Sequence, residues 1–97
     1  MQAGEVDLLF SAASIWEIAI KSAAGRLVVP DGYLEAIQQD GLRELAVTAR
    51  HARLAGELPL LHRDPFDRML VAQAQAEDLE VITRDPRIAG YDVPVLW

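Results

Sequence analysis

The chain has 97 residues, of which 52% are hydrophobic and 25% charged, a balance typical of one small globular domain rather than a disordered tail. It contains no cysteine, which excludes disulfides, thiolate catalysis and cysteine-ligated metal centres. Its net charge of −6 excludes bulk electrostatic attraction as the main mode of nucleic-acid binding. The longest uncharged stretch, Leu8–Trp16, is too short to span a bilayer, and the acidic N-terminus is unlike a secretory signal, so we expect a cytoplasmic protein.

The first half of the chain predicts alternating strands and helices. Val6–Phe10 is short and apolar and predicts a buried strand. The following SAASIWEIAIKSAAG predicts a helix, because Ser14 and Glu17 have the spacing of a capping box and Gly25 ends the run. The other predicted elements of this half are an extended piece at Leu27–Val29, a helix at Asp31–Asp40 ended by Gly41, and a strand at Leu42–Val47, for which a helix is the alternative.

The second half continues the alternation. Thr48 can cap a helix that runs to about Gly56. Asp64-Pro65 is a strong helix start, and this helix is predicted to reach about Asp78. Its predicted inward face comprises Phe66, Leu70, Ala74, Met69, Ala72 and Ala76. The remaining elements are a loop at Pro59–Arg63, a strand at Glu80–Thr83, a short helical piece from Asp85-Pro86 to about Gly90, and a strand or extended tail at Val93–Trp97.

This alternation of strands and helices predicts an α/β fold with a mainly parallel sheet that helices cover on both faces. Ligands of such sheets collect beyond the carboxyl ends of the strands. The segments just after Phe10 and Thr83 are therefore predicted to lie at the functional edge.

Three acids stand out by their context. Glu17 lies one to two turns into the helix after the first strand, Asp67 lies in the first turn after Asp64-Pro65, and Asp85 directly follows the EVIT strand. Like charges repel, so a carboxylate cluster has little structural benefit by itself. Mg²⁺ or Mn²⁺ changes that balance, since both ions take carboxylate and water oxygens and leave water available for attack on phosphate.

Each acid also has a purely structural interpretation. Glu17 can complete a capping box or pair with Lys21 four residues on. Asp67 suits the positive end of a helix dipole, and Asp85 suits an Asp-Pro turn. The combination of three acids at one predicted edge favours the metal site.

Four arginines lie between residues 63 and 87, beside Asp64, Asp67 and Asp85: Arg63, Arg68, Arg84 and Arg87. Their guanidinium groups suit phosphate oxygens and could position a nucleic-acid backbone, or they could form ordinary ion pairs with neighbouring acids. An isolated histidine or tryptophan more often has a structural role than a functional one. On this basis, His51 is expected on an exposed helix without a functional role, His62 as a structural hydrogen-bonding residue, and Trp16 and Trp97 in a core or interface.

Two segments, SAASIWEIAIKSAAGRL and LPLLHRDPFDRMLVAQAQAEDLEVITRDPRIAGYDVPVLW, closely resemble PIN-domain proteins of the VapC toxin group. The run DPFDRMLVAQA, followed by a strand ending in TRD, carries most of the resemblance, which extends from Val6 to Trp97. The resemblance implies a PIN-like three-layer α/β/α fold in a single partial domain over residues 1–97. It also implies a Mg²⁺- or Mn²⁺-dependent endoribonuclease, the toxin of a type II toxin–antitoxin pair.

The family's metal-holding acids carry over to Glu17 in WEIAIK, to Asp67 as the second aspartate of DPFDR, and to Asp85 in TRD. Their implied role is to hold one or two metal ions that activate a water for in-line attack on an RNA phosphodiester. Lys21 and Arg68 match positions that line the same pocket, and with Arg84 they are predicted to contact RNA. The implied partners are the RNA substrate, an antitoxin protein and a second copy of the chain in a homodimer.

One part of the family pattern is not matched. PIN domains of this group begin with a central strand ending in LLDTH, whose aspartate is the first metal ligand, and two helices follow it. We therefore expect an N-terminally truncated PIN domain holding three ligands of a four-acid site. Truncation by annotation or by nature is the favoured explanation. A degenerate remnant, or a dimer whose partner fills the gap, is the alternative.

Two functions are consistent with this interpretation. The first is the ribonuclease toxin, held in check by its antitoxin. The second is a catalytically inactive interaction module that binds the antitoxin or itself, because metal sites depend steeply on the number of their ligands. Metal affinity and RNA cleavage distinguish the two.

Overall fold

The structure, a computed structural model, describes residues 7–60, 63–82, 90–91 and 93–96. Residue contacts divide the chain into two compact units, Met1–Ala46 and Val47–Trp97, which are described separately below. Within the described residues, no helix has the length and apolar character needed to cross a membrane.

The first unit contains a parallel strand pair. Strand β1 (Leu9–Ser11) pairs with β2 (Arg43–Leu45) in the register Leu9–Arg43, Phe10–Glu44 and Ser11–Leu45. The strand predicted at Val6–Phe10 is confirmed at Leu9 and Phe10; it extends one residue further than expected, and Asp7 and Leu8 precede it. The strand predicted within LRELAV is also confirmed, and its helical alternative is wrong. The backbone of β2 is extended and pairs with β1.

Helix α1 (Ala12–Ala23) begins directly after β1. The side chain of Ser11 caps it, with Oγ accepting from the amide of Ala13 at 3.0 Å. The predicted capping box of Ser14 and Glu17 is wrong, because both residues lie inside the helix and an earlier serine satisfies the first turn.

The predicted stop at Gly25 is confirmed. The amide of Gly25 donates to the Ser22 carbonyl at 3.1 Å and that of Arg26 donates to the Lys21 carbonyl at 2.9 Å. These bonds form a Schellman motif that needs a left-handed residue, and Gly25 has φ of 72°. A second helix, α2 (Tyr33–Gln39), lies within its predicted range.

The second unit is built on two helices, α3 (Ala49–Glu57) and α4 (Pro65–Glu77), which pack against each other. Hydrogen bonds join the start of each helix to the end of the other, so the pair is antiparallel. Thr48 caps α3 as predicted, since its Oγ1 accepts from the amide of His51 at 3.2 Å.

Helix α4 begins as Asp64-Pro65 predicts. Oδ1 of Asp64 accepts hydrogen bonds from the backbone amides of Phe66 at 2.9 Å and Asp67 at 3.5 Å. Pro65 occupies the first helical position. The helix ends at Glu77, close to the predicted Asp78, which is its C-cap and has φ of 57°. The start of α4 follows from the local chemistry of residues 64–67, namely the aspartate cap and the proline after it.

Replacing Asp64 with alanine is expected to lower the free energy of unfolding by about 1 kcal/mol, since two first-turn amides lose their acceptor. Urea unfolding measures the change. Asp64→Asn keeps an acceptor oxygen and should unfold within a few tenths of a kcal/mol of wild type. An alanine variant as stable as wild type would disprove the cap.

The core of the second unit comprises Val71, Ala74, Val81 and Tyr91, with Leu58, Leu79 and Val93 packed against it. The predicted inward face of α4 is only partly correct. Ala72 and Ala74 are buried, but so are Val71 and Gln73, while the other predicted positions are half-buried. The continuous buried run arises because α3 and a strand, β3 (Val81–Ile82), both pack against this helix.

Strand β3 pairs in parallel with β4 (Val95–Leu96), in the register Val81–Val95 and Ile82–Leu96. Both strands lie within their predicted ranges, of which Thr83 and Trp97 fall outside the described residues. The helical piece predicted after Asp85-Pro86 also falls outside them. The parallel pairing confirms the α/β class, in which helices connect strands that run in one direction.

Candidate functional site

Glu17 lies in the second turn of α1, in the first unit. Its Oε2 lies 3.0 Å from Nζ of Lys21, four residues further along the same helix. The Glu17 side chain is 22% exposed and that of Lys21 is 48% exposed, so this pair adds at most a few tenths of a kcal/mol to stability. The structure thus brings together two of the predicted site residues. Their contact is the Glu17–Lys21 ion pair that the purely structural interpretation of Glu17 predicted.

Asp67 lies in the first turn of α4, in the second unit. Its amide donates to Asp64, and its half-buried carboxylate is placed where the helix dipole stabilises negative charge. The first turn is held by the Asp64 cap and the Pro65 ring. The Asp64 cap and Pro65 therefore restrain the backbone that carries Asp67.

The third predicted acid, Asp85, lies outside the described residues, and so does Arg84. Within the described ranges, no group of three or more histidines, aspartates or glutamates could hold a metal ion. The carboxylate cluster therefore stays a prediction. The donor chemistry of Glu17 and Asp67 fits Mg²⁺ or Mn²⁺, since both ions prefer carboxylate oxygens.

Arg68 follows Asp67, and its guanidinium donates hydrogen bonds to several backbone carbonyls. Nη2 donates to the carbonyls of Ala55 at 2.8 Å and Leu58 at 3.0 Å. Nη1 donates to the carbonyl of Pro59 at 3.1 Å and lies 3.4 Å from the hydroxyl of Tyr91. This guanidinium, predicted to contact RNA, thus binds the backbone at the end of α3.

His51 is a residue whose role the sequence analysis missed. It was expected on an exposed face, but it is 1% exposed, which makes it one of the most buried side chains described. The Thr48 amide donates to Nδ1 at 3.1 Å, and Gln73 Nε2 lies 3.4 Å from the same nitrogen. Because a backbone amide can only donate, Nδ1 is the acceptor, and Nε2 carries the proton that it donates to Glu77 at 2.9 Å.

The capping spacing of Thr48 and His51 was the available signal for this role. Tyr91 is the other missed residue: it is 5% exposed, and its hydroxyl donates to the carbonyl of Pro59 at 2.7 Å. Nothing local in the sequence indicated that contact, because the two residues are far apart along the chain.

The family model of the PIN domain matches residues 2–94. No curated protein and no solved structure matches the chain. The match covers nearly the whole sequence, including the segments that carry Glu17, Asp67 and Asp85.

Proposed function

Because the chain belongs to the PIN-domain family, generally a nuclease fold, we propose that it is a Mg²⁺- or Mn²⁺-dependent endoribonuclease, the toxin of a type II toxin–antitoxin pair. The observation that carries the proposal is the PIN match across residues 2–94. The position of Asp67 supports it, since a capped first turn presents this carboxylate on a rigid backbone.

In this proposal, Glu17, Asp67 and Asp85 hold the metal through their carboxylate oxygens. The ion would supply charge stabilisation at phosphate and lower the pKa of a bound water. Asp67 contributes from the fixed first turn of α4. Glu17 is held beside the Lys21 ammonium, which places a positive charge next to one ligand.

The same proposal assigns RNA contacts to local bases, since the net charge of −6 repels a polyanion overall. Lys21 and Arg84 are the proposed contacts. Arg68 is a weaker candidate, because its guanidinium already donates to carbonyl groups of the second unit. An antitoxin protein and a second copy of the chain are the proposed partners, and the cytoplasm is the proposed location.

The test is a pair of measurements on the purified protein. Titration calorimetry with MnCl₂ is expected to show submillimolar binding. Incubation with a mixture of cellular RNAs is expected to produce fragments with Mn²⁺ or Mg²⁺ and none with excess EDTA. Cleavage that persists in EDTA would contradict the metal-dependent mechanism. A folded protein that neither binds Mn²⁺ nor cleaves RNA would favour the inactive interaction module instead.

A further inference from the structure

Helix α3 ends in a way that leaves its last carbonyls without the usual backbone donors. Its C-cap, Leu58, is extended, with φ of −63° and ψ of 148°, and the next residue is Pro59. A Schellman or αL ending requires an amide proton at this next position, and proline has none. The carbonyl groups near the end of α3 therefore need a donor from elsewhere.

Arg68 supplies that donor. Its Nη2 donates to a carbonyl of the last turn, Ala55, and to the carbonyl of the C-cap residue, while Nη1 donates to Pro59 just beyond. A guanidinium at this point also places positive charge at the negative end of the helix dipole. The rigid fork of arginine provides several donors in one plane, a geometry that lysine cannot reproduce.

These hydrogen bonds from Arg68 to the end of α3 form a clamp, which acts on the turn that carries Asp67. Arg68 is the next residue of the same first turn, and its amide donates to the carbonyl of Asp64 at 3.1 Å. The Asp64 side chain thus caps the start of this turn, and the Arg68 side chain holds its last residue against the C-terminal end of α3. Rotation of α4 about its axis would break the clamp, so the clamp fixes the direction in which the Cα–Cβ bond of Asp67 leaves the helix.

We propose that Arg68 is a positioning residue that orients the Asp67 carboxylate by clamping the first turn of α4 to the end of α3. The inference rests on the proposed function, since it makes Asp67 a metal ligand. Residues that orient a metal ligand from outside the coordination sphere typically contribute about 10- to 100-fold to metal affinity. Arg68 acts here through the backbone rather than on the ion.

The experiment compares Mn²⁺ affinity, by titration calorimetry, in wild type, Arg68→Ala and Arg68→Lys. Conditions are chosen so that circular dichroism shows each variant folded. Arg68→Ala is expected to raise the Mn²⁺ dissociation constant by about 10-fold or more. Arg68→Lys keeps the charge but lacks the fork, so it should recover only part of the affinity.

A matched control separates positioning from a loss of stability. His51→Asn perturbs the opposite end of the α3–α4 pair, where the imidazole contacts Glu77. It is expected to lower the melting temperature while leaving the Mn²⁺ affinity of the folded protein within about twofold of wild type. Amide exchange gives a readout without metal: in Arg68→Ala, protection should fall more at the backbone amide of position 68 than at that of Ala74.

The outcomes are distinguishable. A folded Arg68→Ala variant with wild-type Mn²⁺ affinity would overturn the inference and leave the proposed function intact. A wild-type protein that takes up no Mn²⁺ would contradict the proposed function, and with it the ligand that Arg68 is inferred to orient. A 10-fold loss in Arg68→Ala with an unchanged His51→Asn control would support both.

Discussion

Replacing Asp67 with asparagine is expected to reduce RNA cleavage by at least about 100-fold, because the change removes the charge of a proposed metal ligand without changing the size of the side chain. Metal-held charge stabilisation contributes several kcal/mol to such a reaction, and each 1.4 kcal/mol corresponds to about a factor of ten in rate. Initial rates of RNA cleavage at saturating Mn²⁺ measure the effect, and calorimetry gives the accompanying loss of affinity.

Asp64→Asn is the matched control for this experiment. It makes the same chemical change three residues away on the same turn, and asparagine caps a helix as well as aspartate does. We expect this variant to keep wild-type cleavage and stability. Asp85→Asn and Glu17→Gln extend the test to the other two proposed ligands. Full cleavage by a folded Asp67→Asn protein would remove Asp67 from the proposed site.

Replacing His51 with alanine is expected to lower the free energy of unfolding by about 2–4 kcal/mol, the largest stability effect that we predict. The change leaves a cavity beside α4 and deprives the Thr48 amide of its acceptor. It also removes the contact to Glu77, which joins the start of α3 to the end of α4. Chemical denaturation with a linear extrapolation measures the difference.

Two further variants test which part of the imidazole matters. His51→Asn places an amide oxygen near the position of Nδ1, so it should keep the cap and lose less stability than alanine. Arg53→Ala is the surface control on the same helix: the Arg53 side chain is 73% exposed and lies 4.0 Å from Glu57, a pair worth little. If His51→Ala unfolded like the Arg53 variant, the buried network would have no stabilising role.

The candidate site divides into parts that the sequence predicted and parts that it could not. Asp67 was placed in a first turn by Asp64-Pro65, because capping and the fixed φ of proline act within four residues. The pairing of Glu17 with Lys21 followed from helical spacing alone. The predicted cluster of these acids with Asp85 joins segments far apart in the chain, so spacing along the sequence could only propose it.

The hydrogen bonds of Arg68 also could not be predicted from the sequence. Arg68 follows Asp67 in the sequence, and its guanidinium was predicted to bind phosphate or to form an ion pair with a neighbouring acid. Its actual acceptors are backbone carbonyls, which every residue carries and which leave no mark in the sequence. Only Pro59, which lacks an amide proton after α3, indicates that a side-chain donor is needed there.

The sequence by itself determined the class of this protein: strands alternating with helices, parallel pairing, and helix limits at Thr48, Asp64 and Gly25 that depend on local backbone chemistry. The tertiary structure decided the burial of His51 and Gln73 and the clamp of Arg68. The physical reason is that capping and periodicity act within a few residues. Burial and long-range hydrogen bonds, in contrast, depend on which surfaces the folded chain brings together.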